Sequence, residues 1–242
     1  MQIEVCASSL SSVANAARAG ANRVELCTEL GLGGLTPSFG FVEKALELDL
    51  PLHILIRPRS GHFCYSNEEI EIMYADIEQC QQMGCAGVVV GALTEDYALN
   101  HTVLANMVRL SGSMEITFHR AFDLVKDPYQ TLETLIDLGF NRILTSGQKK
   151  TALAGLPLLT QLLKESQNRI ALMPGGGVTL ENCLQFKEAG FQHLHFSGFR
   201  PTTKVSLPNH LRDDFSFLKQ PFGHSDETVL KEIINSLRSS TI

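Results

Sequence analysis

One repeated unit constrains the fold of this chain more than any other feature. An amphipathic stretch stops at a glycine, and a β-branched run begins within about three residues, as in AARAGANRVEL, CQQMGCAGVVV, LIDLGFNRIL and FKEAGFQHLHF. Glycine commonly ends a helix because it adopts the left-handed conformation without steric cost. Strict alternation of strands and helices predicts a parallel sheet.

Eight β-branched runs predict eight strands, near residues 3, 22, 52, 87, 114, 141, 169 and 192. Capping residues and prolines predict helix starts near Thr36, Asn67, Asp127 and Thr179. Eight such units in the length of one domain favour closure into a barrel. The sequence therefore predicts an α/β fold, a single (β/α)8 TIM-type barrel over residues 1–200. A C-terminal extension over residues 201–242, a loop followed by a helix, is predicted to pack on it.

Composition argues against several classes of partner. The net charge is −6, there is no dense Lys/Arg run, and there is no Trp. This composition does not indicate binding to nucleic acid or to an anionic membrane surface. No stretch reaches the roughly 20 apolar residues of a membrane span, and the N-terminus does not resemble a signal peptide. We expect a cytoplasmic protein with reduced cysteines, which binds a metal ion or a small anionic ligand and forms a homodimer through apolar patches on its outer helices.

Alternation along the strands predicts which side chains face the barrel axis. Because the apolar side of each strand should face the helices, the other side faces inward. A lower inward layer is predicted to be structural ion pairing, formed by Arg23, Glu115, Arg142, Arg169 and His193. An upper group lies at the carboxyl ends of the strands, where barrel proteins build their sites: Glu25, Cys27, Arg57, His119, His195 and Ser197.

Three cysteines are candidate metal ligands at this end of the barrel. Cys6 and Cys27 end adjacent strands, and Cys64 lies in the loop after the third strand. Soft thiolates suit Cu(I). The alternative is that these side chains are small apolar packing groups, which is the interpretation we adopt for Cys80, Cys85 and Cys183.

A second set of residues is suited to an anion and to acid–base chemistry. Arg57 and Arg59 offer two planar guanidinium groups for a carboxylate or phosphate, and Glu25 and His119 are acid–base candidates, with Asp123 a carboxylate partner for His119. Turns after the last three strands offer backbone amides to an anion, at Ser146, Gly147, Gly175, Gly176, Gly177, Ser197 and Gly198. Each of these residues also has a structural alternative. Arg57 and Arg59 would form a surface salt-bridge loop, His119 would be a structural histidine, and the glycines would only make tight strand-to-helix turns.

Several of these motifs together resemble the CutC family. They are RVELC at 23–27, GGLTPS at 33–38, IRPRSGHFCYS at 56–66, TFHRAFD at 117–123, RILTSGQK at 142–149 and the glycine run at 175–177. The resemblance covers roughly residues 1–200 and implies a TIM barrel with a role in copper homeostasis. Two positions depart from the family pattern: His62 stands where an acidic residue is frequent, and the first strand lacks a second cysteine next to Cys6.

Two functions follow as hypotheses. The first is a copper homeostasis protein, as the resemblance implies, in which the positions of Cys6, Cys27 and, as a third candidate, Cys64 at the barrel mouth suit them to bind copper as Cu(I). The second is an enzyme that acts on a small anionic or phosphorylated metabolite at the strand carboxyl ends, with Glu25, His119, Arg57 and Arg59 as its catalytic residues. The polar lining favours the second hypothesis, and the resemblance favours the first.

Overall fold

Eight parallel strands close into one barrel in the computed structural model, which describes residues 1–202 and 223–239. Neighbours along the sheet follow the chain from β1 to β7, β8 pairs with β1, and a bridge between Gly175 and His195 joins the last edge. The strands are β1 Gln2–Ala7, β2 Arg23–Leu26, β3 Leu52–Leu55, β4 Gly87–Val90, β5 Glu115–Phe118, β6 Arg142–Thr145, β7 Ala171–Pro174 and β8 His193–Phe196. The predicted TIM-type barrel is confirmed.

Helices connect the strands around the outside. They are α1 Leu10–Ala19, α2 Phe39–Leu46, α3 Asn67–Gln82, α4 His101–Ser111, α5 Pro128–Leu138, α6 Leu156–Ser166 and α7 Cys183–Glu188, followed by α8 Glu227–Ser239. The glycines end helices as predicted. Helices α1 and α5 end at Gly20 and Gly139, which adopt the left-handed conformation.

The predicted helix starts are right in two places and wrong in two. Helix α3 begins at Asn67 behind a capping box of Ser66 and Glu69, and Asp127 caps α5. Helix α2 begins three residues after Thr36, at Phe39, because Ser38 provides the cap. Thr179 starts no helix: its amide donates to the side chain of Asn182, so that 179–182 forms a turn and α7 begins only at Cys183.

The apolar core divides into two parts, as the strand alternation predicts. Side chains such as Ile3, Val5 and Ile54 pack against the helices in the main cluster. A small second cluster fills the barrel interior, formed by Cys6, Cys27, Leu55 and Val89. Leu144 and Met173 also face the interior, and the other inward side chains are mostly polar.

An ionic layer crosses the barrel interior, which we define as Glu4, Arg23, His53, Arg142 and Glu115. The side chain of Glu115 is 50% exposed and forms the solvent end of the layer. Arg23 contacts Glu4 at 2.5 Å, and Arg142 contacts Glu115 at 2.8 Å. Nε2 of His53 lies 3.4 Å from Glu115. Such pairs offset part of the free-energy cost of burying a charge in a medium of low dielectric constant. The predicted structural layer is therefore present, with Glu4 and His53 as further members.

Two residues predicted for this layer behave differently. Arg169 lies outside the barrel, because β7 begins only at Ala171, and its guanidinium group contacts both carboxylate oxygens of Glu133 at 2.6 and 2.7 Å. The prediction for Arg169 is wrong. His193 begins β8 and is half-buried, and burial lowers its pKa to about 4.

After β8 the chain forms the short strand β9 Phe199–Pro201, which pairs with β10 Gly223–Ser225, and then helix α8 packs on α1 and α7. Asn15 donates to the carbonyl of Ser225 at 2.7 Å. Most of the predicted C-terminal loop, residues 203–222, lies outside the described residues, and the domain boundary at residue 200 stays a prediction. Within the described ranges, none of the helices combines the length and apolar character that a membrane crossing requires.

Candidate functional site

A cavity of about 600 Å³ lies at the carboxyl ends of the strands. Its size is that of a small-molecule site. We call it the mouth cavity; its charged lining comprises three carboxyl and three guanidinium groups, Glu25, Glu181, Glu232, Arg57, Arg120 and Arg200. Because the signs are balanced, the cavity is not a general attractor of one charge.

Two cysteine sulfurs meet at the floor of the mouth cavity. Cys6 lies on β1 and Cys27 directly follows β2, and their Sγ atoms are 3.7 Å apart. Both side chains are buried. The hydrogen bond with Cys27, burial and the nearby carboxylates Glu25 and Glu4 raise the pKa of the Cys6 thiol well above its ordinary value. The structure therefore brings the two predicted sulfurs together, and the raised pKa keeps the proton on the Cys6 thiol.

Glu25 and His195 complete this cluster. One potential ligand atom each of Cys6, Glu25 and His195 lies within 4.8 Å of the others. Nδ1 of His195 lies 2.9 Å from Glu4, and its Nε2 lies 3.3 Å from Glu25. Sequence reasoning had placed His195 in the upper group but had not assigned it to the metal, although its inward position at the end of β8 was the available signal.

The carboxyl groups and the imidazole of this cluster are electrostatically coupled. Burial alone would lower the pKa of His195, but the hydrogen bond to Glu4 and the charges of Glu25 and Glu4 raise it. Burial, opposed by His195 and reinforced by Glu4, raises the pKa of Glu25. The cluster therefore holds two groups whose pKa values are raised, as is typical of acid–base groups in active sites.

Cys64 lies elsewhere. Its thiol donates to the carbonyl of Thr94 at 3.0 Å, and it lines a second cavity together with His62 and Tyr97. The structure thus brings together two of the three cysteines predicted as metal ligands.

Arg57 ties two loops together. Its guanidinium group donates to the carbonyls of Leu32, Gly34 and Gly61 at 2.8, 2.8 and 2.9 Å, and it stacks over Phe63. Nε has no partner in the described part of the chain. Most of the donors that were predicted to clamp an anion therefore serve the protein itself.

Arg59 is directed outside the mouth cavity. It contacts Glu69 at 2.5 Å, donates to the carbonyl of Cys64 and stacks over Tyr65. The structure does not bring its guanidinium group to Glu25 or His119. Its position is that of the salt-bridge loop considered as the alternative.

His119 has a fixed orientation in the mouth cavity. Its Nδ1 accepts a hydrogen bond from the amide of Ala121 at 3.1 Å, and the ring packs 4.6 Å from the ring of Phe63. A Cβ at Gly91 would fall 2.4 Å from the imidazole, so only glycine allows this packing. Burial and the charge of Arg57 lower the pKa of His119 to about 3. The ring is neutral, with its proton on Nε2, for which no described acceptor exists.

Asp123 is not the carboxylate partner of His119. It accepts hydrogen bonds from the amides of Ser146 and Gln148 and from the hydroxyl of Thr145, and it pairs with Arg120. A carboxylate of the protein thus occupies the turn after β6 that was predicted to receive an external anion. Gly147 donates to the hydroxyl of Thr145.

Four other predicted amides line the mouth cavity, at residues 176–177 and 197–198. No described group accepts a hydrogen bond from the amides of Gly177, Ser197 and Gly198, whereas Gly176 adjoins the bridge to His195 that closes the barrel. Gly175 does not belong with them, since it donates to the carbonyl of Thr145. Arg120 lies beside them: a Cβ at Gly176 would be 3.4 Å from its Nη1. The motif FHRAFD predicts Arg120 at the end of strand five beside His119, but the sequence assigned it no role.

Comparison with known proteins supplies the family. Residues 1–200 match the model of the CutC family. The chain belongs to the CutC family. A copper homeostasis protein cutC homolog of Mus musculus is 46% identical over 197 residues, which are 81% of this chain and 72% of the relative. A family protein CutC of Pasteurella multocida is 43% identical over 200 residues, 82% of each chain.

A solved structure gives the same relationship. CutC from Streptococcus agalactiae superimposes with a TM-score of 0.77 at 31% identity, covering 81% of this chain and 98% of the other. This CutC-family chain is therefore a homologue of copper homeostasis proteins.

Proposed function

We propose that the chain binds Cu(I) in the mouth cavity and serves copper homeostasis in that way, with the thiolates of Cys6 and Cys27 as its principal ligands. The observation that carries the proposal is the pair of buried sulfurs 3.7 Å apart, with a carboxyl group and an imidazole beside them. Thiolates are the ligands that Cu(I) prefers. The relatives that are named as copper homeostasis proteins support the copper role.

His195 is the proposed third ligand, and Glu4 orients its ring through a hydrogen bond to Nδ1. A carboxylate that accepts the Nδ1–H of a ligating histidine fixes its tautomer and makes the other nitrogen a better ligand. Glu4, at 2.9 Å from Nδ1, is placed for this role. Nε2 of His195 is then available on the side of Glu25 and Cys6.

Copper binding in this site depends on pH. The pKa of Cys6 is raised well above its ordinary value, so binding must displace a proton from the thiol. The affinity for Cu(I) should increase with pH by about one log unit per pH unit for each proton released.

The test is a competition for Cu(I) against a chelator under anaerobic conditions. The Cys6→Ser/Cys27→Ser variant should lose measurable binding, and His195→Gln, which removes a ligand, should weaken it by at least about tenfold, the least effect expected when even a partner of a ligand is lost. Cys64→Ser is the matched control, since its thiol lies in another cavity, and it should bind as the wild type does. If the double variant competes as well as the wild type, the proposal is wrong.

A second candidate function is an enzyme that acts on a small anionic or phosphorylated metabolite. The contact between Glu25 and His195 favours it, because a carboxyl group and an imidazole with raised pKa values inside a cavity can exchange a proton with a substrate. His119, a neutral ring, would act as a hydrogen-bond donor rather than as a base. Arg57 and Arg59 would shape the loops of the site.

A further inference from the structure

We propose that the mouth cavity binds a small phosphorylated compound that also carries a carbonyl or hydroxyl oxygen. Its phosphate lies on the amides of residues 176–177 and 197–198, which we call the amide cradle, beside Arg120. Its neutral oxygen accepts a hydrogen bond from Nε2 of His119. The inference rests on the second candidate function, for which it names the class of ligand, and it does not involve the thiol pair.

The amide cradle is suited to an oxyanion. Gly176 and Gly177 have φ values of +105° and +74°, and Gly198 has +54°. Successive amides in such turns form concave sites for anions, because several N–H groups converge without a side chain between them. All four cradle residues line the mouth cavity, and the amides of Gly177, Ser197 and Gly198 have no acceptor in the described part of the chain. Gly177 is exposed and the other three residues are half-buried, so an oxyanion can reach these amides from the cavity.

Arg120 adds charge to the cradle. Its Nε contacts Asp123 at 2.8 Å and its Nη2 donates to Ser146 at 2.8 Å, which fixes the plane of the guanidinium group. Nη1 has no acceptor among the described residues and lies next to Gly176. The same Asp123 fills the turn after β6. The chain therefore neutralises one set of amides itself and leaves the neighbouring set, with a free guanidinium edge, facing the cavity.

His119 supplies the second, independent observation. It is 4% exposed, it lines the same cavity, and its Nε2–H has no acceptor among the described residues. A neutral donor between Phe63 and the backbone of Gly91 is best matched by a neutral oxygen. A ligand with a phosphate at one end and a carbonyl or hydroxyl oxygen at the other satisfies both features. The cavity of about 600 Å³ has room for it.

The test is an NMR titration of the full chain with a Cu(I) chelator present, using inorganic phosphate, dihydroxyacetone and dihydroxyacetone phosphate as probes. Inorganic phosphate should shift the amide resonances of the cradle. Dihydroxyacetone phosphate should shift these and Nε2 of His119, and bind at least about tenfold more tightly than inorganic phosphate because it makes both contacts. Dihydroxyacetone alone should leave the cradle unchanged.

Substitutions sharpen the test. Arg120→Gln should weaken both phosphate probes by about tenfold, the effect of one charge-assisted hydrogen bond. Arg169→Gln is the matched control, because that guanidinium group contacts only groups outside the barrel, and it should change nothing. Should Arg120→Gln fold poorly through its loss of Asp123, Arg120→Lys keeps the charge and should weaken binding less. His119→Phe should reduce the affinity for dihydroxyacetone phosphate to that for inorganic phosphate.

Three results would overturn the inference: cradle resonances that ignore phosphate, equal effects of the Arg120 and Arg169 substitutions, or an unmoved His119 with the phosphorylated probe. Binding is scored without turnover. A chain that binds the probe but converts no substrate would keep the inference and overturn the enzymatic function. A chain that fails here but binds Cu(I) would keep the copper proposal.

Discussion

Glu4 and Glu25 lie on neighbouring strands and both contact His195, yet their environments have opposite consequences. Burial would raise the pKa of Glu4, but His195 and the Arg23 guanidinium at 2.5 Å hold it well below its usual value. Glu25 contacts no guanidinium among the described residues, and burial raises its pKa. The ionic layer thus pairs its guanidinium groups with carboxylates, whereas Glu25 in the mouth cavity has the imidazole of His195 beside it and no guanidinium group among the described residues.

The largest expected effect on stability comes from breaking the ion pair between Glu4 and Arg23. Glu4→Gln leaves Arg23, whose side chain is 7% exposed, as a buried charge without a carboxylate. We expect a loss of about 3–5 kcal/mol in the free energy of unfolding. Glu25→Gln is the matched control and should cost less than about 1 kcal/mol, because it removes a carboxyl group that burial already disfavours as an anion. Urea denaturation monitored by circular dichroism measures both.

The comparison would fail if the two glutamine variants lost similar stability. A Glu4→Met/Arg23→Met variant separates the causes further. It removes both charges, so it should recover most of the stability that Glu4→Gln loses.

A smaller effect distinguishes the two histidines of the mouth cavity. The pKa of His119 is about 3 when folded and near 6.5 when unfolded, so the unfolded chain binds more protons between these values. Its contribution to stability is present above pH 6.5 and is lost as pH falls toward 3. His119→Phe should therefore remove about 2 kcal/mol of the destabilisation that the wild type shows between pH 6.5 and 5.

His195 should show the opposite sign. Its pKa is raised in the folded chain, so its contribution is full below pH 6.5 and is lost as pH rises through the folded value. His195→Gln should consequently lose more stability at pH 6 than at pH 9. Identical pH profiles for the two variants would show that the electrostatic contrast between these rings is wrong.

The strands and their inward residues could be predicted because alternation and terminal glycines are local signals. Glu25, His119 and His195 face inward as predicted, since a barrel leaves each strand only two sides. The hydrogen-bond partners could not be predicted in the same way. Arg57 serves the carbonyls of two loops, and Asp123 occupies the turn after β6, through contacts between residues that lie about 20 positions or more apart in the chain.

The start of β7 shows a different limit. RIALM continues the apolar alternation back to Arg169, so the sequence places this residue inside the barrel. The amide of Arg169 instead donates to the carbonyl of Ser166, which ends α6, and the strand starts at Ala171. Alternation cannot distinguish the last residue of a turn from the first residue of a strand.

The smallest expected effect comes from this misplaced residue. Arg169 contacts Glu133 through two short hydrogen bonds, a geometry as good as that of the pair between Arg142 and Glu115. The side chains of Arg169 and Glu133 are, however, 40% and 48% exposed. Water and salt screen an exposed pair, and ordering two long side chains has an entropic cost, so such contacts contribute little. Arg169→Met should leave the urea midpoint unchanged within error, whereas Arg142→Met, at a 4% exposed side chain, should lower it measurably. Raising the salt concentration should not alter the difference between the two variants, because the Arg142 guanidinium is shielded from solvent. Equal midpoints for the two variants would mean that burial does not distinguish the ionic layer from a surface contact.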